Sequence, residues 1–410
     1  MRLSACSAAL VLLFSGTVFA QAPAETPAPP VNAPPVLADA PPAAAPAAPP
    51  AAPAAVAAAP AAAPAAPAAP APPLWYSILR FEALVDSYYQ YNFTGSTTDP
   101  NNVLTGRTFD VTSNSFSLNF AKVAMQLDVS PVTLRIDLGY GHTGFVINSL
   151  NSRGASGLPM SAGASLYGSA FLVEQAFSSL ALGPVTLDFG KFVTTAGAEV
   201  NEANKNWMYS RSLLFYTIPI LHTGARATFK ASDQLTLQAS LVNGINNDPD
   251  NNGWKTVGLS ATVTPVSTTS IIVTDYFGKE GPQGTEGDVK NTLDVVISQT
   301  INDKLSLNLN VDYVKLGSNY LVGGALMGHY VLSDSLNFSA RAEYVKDKNG
   351  TFVSTLADTN YYEGSVVAAA PFAGHLEIRA EVRADFCKDK VFIDGKDNQV
   401  TGTVAFLSYL

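Results

Sequence analysis

The 410-residue chain has only two cysteines, and Cys6 lies in a leading segment that reads as removed on export. Cys387 is then alone, so an internal disulfide and a disulfide-stapled secreted domain are excluded. After the leading segment no stretch approaches the roughly 18 consecutive apolar residues of a spanning helix. Histidine is scarce, and His142, His222, His329 and His375 stand at no metal-ligand spacing, so no zinc centre is expected. No G-x-S-x-G occurs, and an enzyme is not expected. Basic residues are the minority, 24 Lys+Arg against 33 Asp+Glu, a formal net charge of −9. That balance does not fit a nucleic-acid partner. No motif calls for a cofactor.

What is present begins with an address. Residues 1–22, "MRLSACSAALVLLFSGTVFAQA", combine Arg2, an apolar core from Ala8 to Phe19 and the small-residue site Val18-Phe19-Ala20, which reads as a secretory signal. Leu3-Ser4-Ala5-Cys6 spells a lipoprotein box, but it precedes the apolar core instead of following it, so a lipid anchor is not expected. Residues 23–73 are nearly all Ala and Pro and hold 18 of the 27 prolines. Each proline removes a backbone donor and blocks a helix, so the segment reads as an extended periplasmic spacer rising about 3.1 Å per residue. It is either an inert linker or a tether to peptidoglycan or a periplasmic partner.

Residues 74–410 alternate. In "HLEIRAEVRADF", Glu377, Arg379, Glu381, Arg383 and Asp385 face one way against Leu376, Ile378, Ala380, Val382, Ala384 and Phe386. "RFEALVDSYYQYNF" sets Arg80, Glu82, Asp86, Gln90 and Asn92 against Phe81, Ala83, Val85, Tyr89, Tyr91 and Phe93. Arg135 and Asp137, Asn308 and Asp312, and Arg341 and Glu343 repeat the pattern in three further stretches.

Two kinds of connection separate these stretches. Short turns fall at 130–131, 183–184, 232–233, 264–265, 302–303, 333–334 and 371–374. Longer polar loops fall near 94–113, 148–168, 194–221, 243–253, 278–290, 315–320, 346–360 and 387–398. The count implies about 16 strands with both ends on the short-turn side, the layout of bacterial outer-membrane barrels. All nine prolines after the spacer are assigned to connections, as the ladder's need for donors requires. Phe93, Tyr140, Tyr313, Tyr344 and Phe386 close apolar faces just before long loops, where an interfacial aromatic girdle belongs. The expected fold is all-β: a closed antiparallel transmembrane barrel of about 16 strands, with short periplasmic turns and long extracellular loops. Its surroundings would be outer-membrane lipid and lipopolysaccharide of a Gram-negative bacterium, with oligomerisation left open.

At "FEALVDSYYQYNF" and at "GKFVTTAGAEVNEANKNWMYSRSLLFYTIPILHTGARATF" the chain resembles the OmpL-like beta-barrel porin-2 family, from about Glu82 onward. The Gly190 to Phe229 stretch carries the most specific part. The resemblance implies a porin-like outer-membrane barrel and brings no catalytic residues. The terminal "VAFLSYL" departs from the final aromatic common in such barrels, although Phe406 shares a face with Leu410.

Two motifs compete with blander explanations. "GYGHTG", Gly139 to Gly144, matches G-x-G-x-x-G, but its strand is two-faced and the following "FVINSLNSRGASG" does not read as a helix, so no dinucleotide site is expected. Asp248, Asp250 and Asn252 resemble the first half of a calcium loop, but the twelfth position is Leu259, and a polar turn explains them equally.

The expected function is a porin-like channel for passive diffusion of small hydrophilic solutes or ions. The alternatives are a structural barrel anchoring the outer membrane to the cell wall and an outer-membrane barrel enzyme. Arg80, Glu82, Asp86, Arg135, Asp137, Arg226, Arg341, Glu343, Glu377, Arg379, Glu381 and Arg383 are expected to line the lumen. The third long loop joins the charges Glu199, Glu202, Lys205 and Arg211 to the apolar run "LLFYTIPIL". Either that run continues a strand, or the loop folds into the barrel and its charges narrow the pore.

Overall fold

A computed structural model describes residues 78–95, 104–151, 170–281, 285–350, 352–353 and 358–410. The signal, the spacer and the middle of the second loop lie outside the described residues. Sixteen antiparallel strands form one closed barrel. They are β1 (Leu79–Asn92), β2 (Ser115–Val129), β3 (Val132–Tyr140), β4 (Phe171–Leu182), β5 (Val185–Val193), β6 (Leu221–Lys230), β7 (Leu235–Val242) and β8 (Thr256–Val266). The circuit continues with β9 (Thr269–Glu280), β10 (Asp288–Thr300), β11 (Leu305–Leu316), β12 (Asn319–Ser333), β13 (Leu336–Lys348), β14 (Thr359–Phe372), β15 (Leu376–Cys387) and β16 (Asn398–Tyr409). Each strand pairs with its neighbours in sequence, and β1 pairs with β16, so no edge is left unpaired. Among the described residues no helix is long and apolar enough to cross a membrane.

The alternation in sequence becomes an inside and an outside. Along β15, Glu377, Arg379, Glu381, Arg383 and Asp385 are buried, while Ile378, Val382 and Phe386 are exposed on the outer surface. The same parity holds along β3, β11 and β13. Phe93, Tyr140, Tyr313, Tyr344 and Phe386 all point outward at the long-loop end, as a girdle requires. Tyr330, Phe338 and Phe372 form a counterpart at the opposite end.

Four expectations are corrected. The turn placed at Thr264-Pro265 lies at Ser267–Thr268, and Pro265 is inside β8, where the register shifts between Val263 and Val266. The irregularity frees that position from donating to the ladder. Pro371 likewise lies within β14, one residue from its end. The connection near 315–320 is a two-residue turn at Gly317–Ser318 between β11 and β12, with Gly317 at φ +58.

The fourth concerns "GYGHTG". A helix does follow it, α1 (His142–Asn151). Its glycines answer to close packing, not to a phosphate. A Cβ at Gly139 would stand 2.3 Å from the Phe120 ring, one at Gly141 2.7 Å from the Asn119 carbonyl, and one at Gly144 2.2 Å from the Ala170 carbonyl.

The barrel also has apolar packing inside. Leu213 and Leu214 of the third loop pack in a buried cluster with Val314, Leu321, Val345, Phe352 and Phe392. Phe215 and Ile220 join a second with Phe109, Phe120, Ile147 and Leu172.

Candidate functional site

The third loop, L3, comprises residues 194–220 between β5 and β6. It turns inward at its start. Thr195 bonds the Tyr276 hydroxyl of β9, the Gly197 N–H donates to Asp294 of β10 at 2.9 Å, and the Ala198 N–H donates to Asn310 of β11 at 3.2 Å. Gly197 sits at φ +93, and a Cβ there would be 2.3 Å from Ile218, so the sharp entry needs glycine.

The middle of L3 reaches the β1–β4 wall. The Lys122 ammonium of β2 lies 2.6 Å from Glu174 and 2.8 Å from Asp137, and it pairs with Glu202 of L3 as well. These three carboxylates are the group among the described residues close enough to share an ion, and Lys122 already supplies the positive charge. Burial works to raise the Glu202 carboxyl, but Lys122 and Lys205 outweigh it and hold the group below the ordinary carboxylate range. Lys205 then lies 3.3 Å from Glu82 of β1, and Trp207 stacks on His329 of β12 with centroids 5.3 Å apart. One loop therefore touches opposite walls and crosses the interior.

Round the wall from β1, beyond β16, the ionic rows of β15 and β13 grip the loop backbone. Glu381 accepts from the Tyr209 N–H at 2.7 Å, and Glu343 accepts from the Leu213 and Leu214 N–H groups, each at 2.8 Å. Arg379 donates to the carbonyls of Ala203 and Met208, Arg383 to that of Arg211, and Arg341 to that of Ser210. Each hydrogen bond to a charged group is worth about 1.5–3 kcal/mol. Together they satisfy buried charges that would otherwise be costly. Tyr209 also donates from its hydroxyl to Asp86 of β1 at 2.9 Å, and burial drives that phenol well above its ordinary range.

All twelve residues expected to line the lumen are on the inward face, but they meet different surroundings. Arg80 is largely solvated and pairs with Asp128, while Glu82 remains 41% exposed and pairs with Arg135. Arg135 also pairs with Asp137. Arg226 lies 2.8 Å from Asp188 and over the Phe192 ring. Asp86, Asp137, Arg341, Glu343, Glu377, Arg379, Glu381 and Arg383 are buried. For Arg341, Glu343, Arg379, Glu381 and Arg383, an open ionic face is corrected to a face covered by L3.

L3 does not lengthen a strand: β6 begins only at Leu221, and the apolar run packs inside the barrel. Arg211 is not presented to a passage. It is fully buried and donates to the carbonyls of Val200, Tyr209 and Asn201, because a turning loop leaves carbonyls without ladder partners. Glu199 is buried against Arg341 at 2.9 Å. Of the four loop charges, Lys205 reaches solvent most, at 48%. The calcium candidate is not assembled: Asp248 accepts from Lys191 and Thr223, whereas Asp250 pairs with Lys255.

Sequence reasoning passed over Lys122 and Glu174. Lys122 was legible, since Lys122, Ala124 and Gln126 alternate with Val123, Met125 and Leu127. Glu174 was not, because it sits where the β3–β4 register shifts beside Asp137 and Leu138.

A closed 16-stranded barrel with an apolar exterior, an aromatic girdle at each end and a third loop folded inside defines the class of porin-type outer-membrane barrels. Within that class the chain belongs to the family described as "Putative beta-barrel porin-2, OmpL-like", whose model matches residues 78–409. It is a protein of the Gram-negative outer membrane. The fold is similar to that of OprB of Pseudomonas putida, with TM-score 0.55 and 12% identity, covering 81% of this chain and 94% of that one. It is also similar to the outer membrane channel DcaP of Acinetobacter baumannii, with TM-score 0.52 and 12% identity over 80% of this chain and 96% of that one. OmpT of Vibrio cholerae in its trimer form gives TM-score 0.53 and 11% identity over 81% and 99%. No curated protein sequence matches this chain.

Proposed function

We propose that the barrel is a passive channel for small hydrophilic solutes or ions, narrowed by L3. The observation that carries this reading is the crossing of the interior by L3, pinned at its start to Asp294 and Asn310 of β10 and β11 and at its middle to Lys122 and Glu82 of β2 and β1 across the barrel. Permeating solutes then pass the solvated charges left beside the loop, chiefly Glu82 and Lys205, with Arg80 at the short-turn rim. Both signs are present, so selectivity is weak despite the acidic chain. A confined charge acts on a passing ion more strongly than one in bulk water. Single-channel conductance in a planar bilayer tests this directly; purified, inserted protein without discrete conductance steps would overturn it.

A second reading is supported by the apolar packing of Leu213 and Leu214 with Phe352 and Phe392, which fills part of the barrel. In it the barrel is an anchor holding the spacer of residues 23–73 to the cell wall. Peptidoglycan pull-down with and without the spacer separates the two: a channel with an inert linker conducts and is not retained.

A further inference from the structure

The outer surface is apolar along its height but carries a basic cluster at the long-loop rim over β11–β13. Lys315 is opposite Tyr320, and Tyr320 is opposite Lys348, so two ammonium side chains flank one tyrosine position. Two strand spacings separate them, about 10 Å. Lys346 lies two residues down β13 from Lys348, hence on the same outward face. The residues on either side of Lys346 in sequence, Val345 and Asp347, are buried inside. Asp358 is the carboxylate paired here, 2.7 Å from Lys348 and 3.7 Å from Lys346. Lys315 is exposed and has no ion pair among the described residues. Because β11 and β12 join through a two-residue turn, the rim is low at this point.

The surface below suits acyl chains. One step toward the membrane centre stand Tyr313, Tyr344 and Tyr362, outward rings at the level of the headgroup boundary. In the next row Ala342, Gly364 and Ala384 are lateral neighbours, so the surface recedes.

We infer that this face seats a phosphorylated glycolipid of the outer leaflet, the lipid A portion of lipopolysaccharide. Its acyl chains lie in the small-residue trough, and its phosphates meet Lys315, Lys346 and Lys348. Three ammonium groups against one carboxylate, spread over about 10 Å, exceed what the single phosphodiester of a phospholipid needs. The inference rests on the outer-membrane orientation, in which long loops face outward.

The test is native mass spectrometry of the detergent-purified full chain with diphosphoryl lipid A, its dephosphorylated form, or phosphatidylglycerol. The wild type should retain diphosphoryl lipid A well above the other two. Each lysine near an anionic surface is worth about fivefold in affinity. Lys315→Ala should therefore cost about fivefold and the triple alanine variant of Lys315, Lys346 and Lys348 on the order of a hundredfold. Lys230→Ala at the opposite rim should cost nothing. Lys315 makes no internal ion pair, so the single variant keeps the test decisive if the triple variant fails to fold. Equal retention of phosphatidylglycerol, or undiminished binding by Lys315→Ala, would overturn the inference. So would disulfide cross-linking of Ala342→Cys chains, which would assign the face to a second copy. Conductance of the same variants should be unchanged, so failure here is distinguishable from failure of the channel reading.

Discussion

The Arg341 guanidinium of β13 stands 2.9 Å from the Glu199 carboxylate of L3, with both side chains almost wholly buried. Arg341 also reaches Glu363 of β14 and the Ser210 carbonyl, so one wall residue fastens two parts of the loop. Removing one partner of such a buried pair costs about 3–5 kcal/mol, because the other charge is left uncompensated. Arg341→Gln should therefore free L3 while the barrel still closes. The expected outcome is a larger, noisier single-channel conductance with retained heat-modifiable migration in gels.

Charge removal at solvated sites should act on selectivity. Lys205→Gln should shift the reversal potential in a salt gradient toward cations, and Glu82→Gln toward anions, since these side chains are 48% and 41% exposed beside the loop. Arg211→Gln should instead weaken L3 without a selective shift, because its guanidinium bonds three backbone carbonyls. Equal reversal potentials for the Lys205 and Glu82 variants and the wild type would place the narrowest section elsewhere.

Facing can be tested on one strand. Val382 is 52% exposed on the outer surface near the middle of β15, and Val382→Arg should impair assembly by about 2–4 kcal/mol, the cost of a charge on the lipid face at mid-height. Arg379→Gln should assemble but loosen L3, since Arg379 holds the Ala203 and Met208 carbonyls. Folded yields in detergent, together with conductance noise, distinguish these outcomes.

The L3 anchor at Lys122 should respond to acid. The Glu202 carboxyl is held below its ordinary range, so its contribution is present at neutral pH, above its unfolded value. It is lost as pH falls through the lowered folded value. Conductance fluctuations should grow only below the ordinary carboxylate range, and Glu202→Gln should show reduced dependence on pH there.

Deletion of residues 23–73 should leave a heat-resistant, membrane-inserted barrel, because the Ala/Pro composition offers no core and the family match begins at residue 78. Loss of folding in that variant would give the spacer a structural role.

The sequence by itself determined the wall. Strict two-residue alternation over many stretches forces one apolar and one polar face, and closure follows because neither face tolerates an unpaired edge in lipid. The outward aromatics and the inward parity of Arg379, Glu381 and Arg383 were legible for the same reason. Tertiary structure alone decided what the inward charges meet. Glu343 and Glu381 are satisfied by backbone N–H groups of Leu213, Leu214, Tyr209 and Ser210, and such donors are present in every non-proline residue, so no side-chain pattern announces them. "LLFYTIPIL" carried its hydrophobicity plainly, but whether it extended a strand or packed within the barrel depended on partners such as Val314, Phe109 and Phe120, distant in sequence and adjacent only once the circle closes.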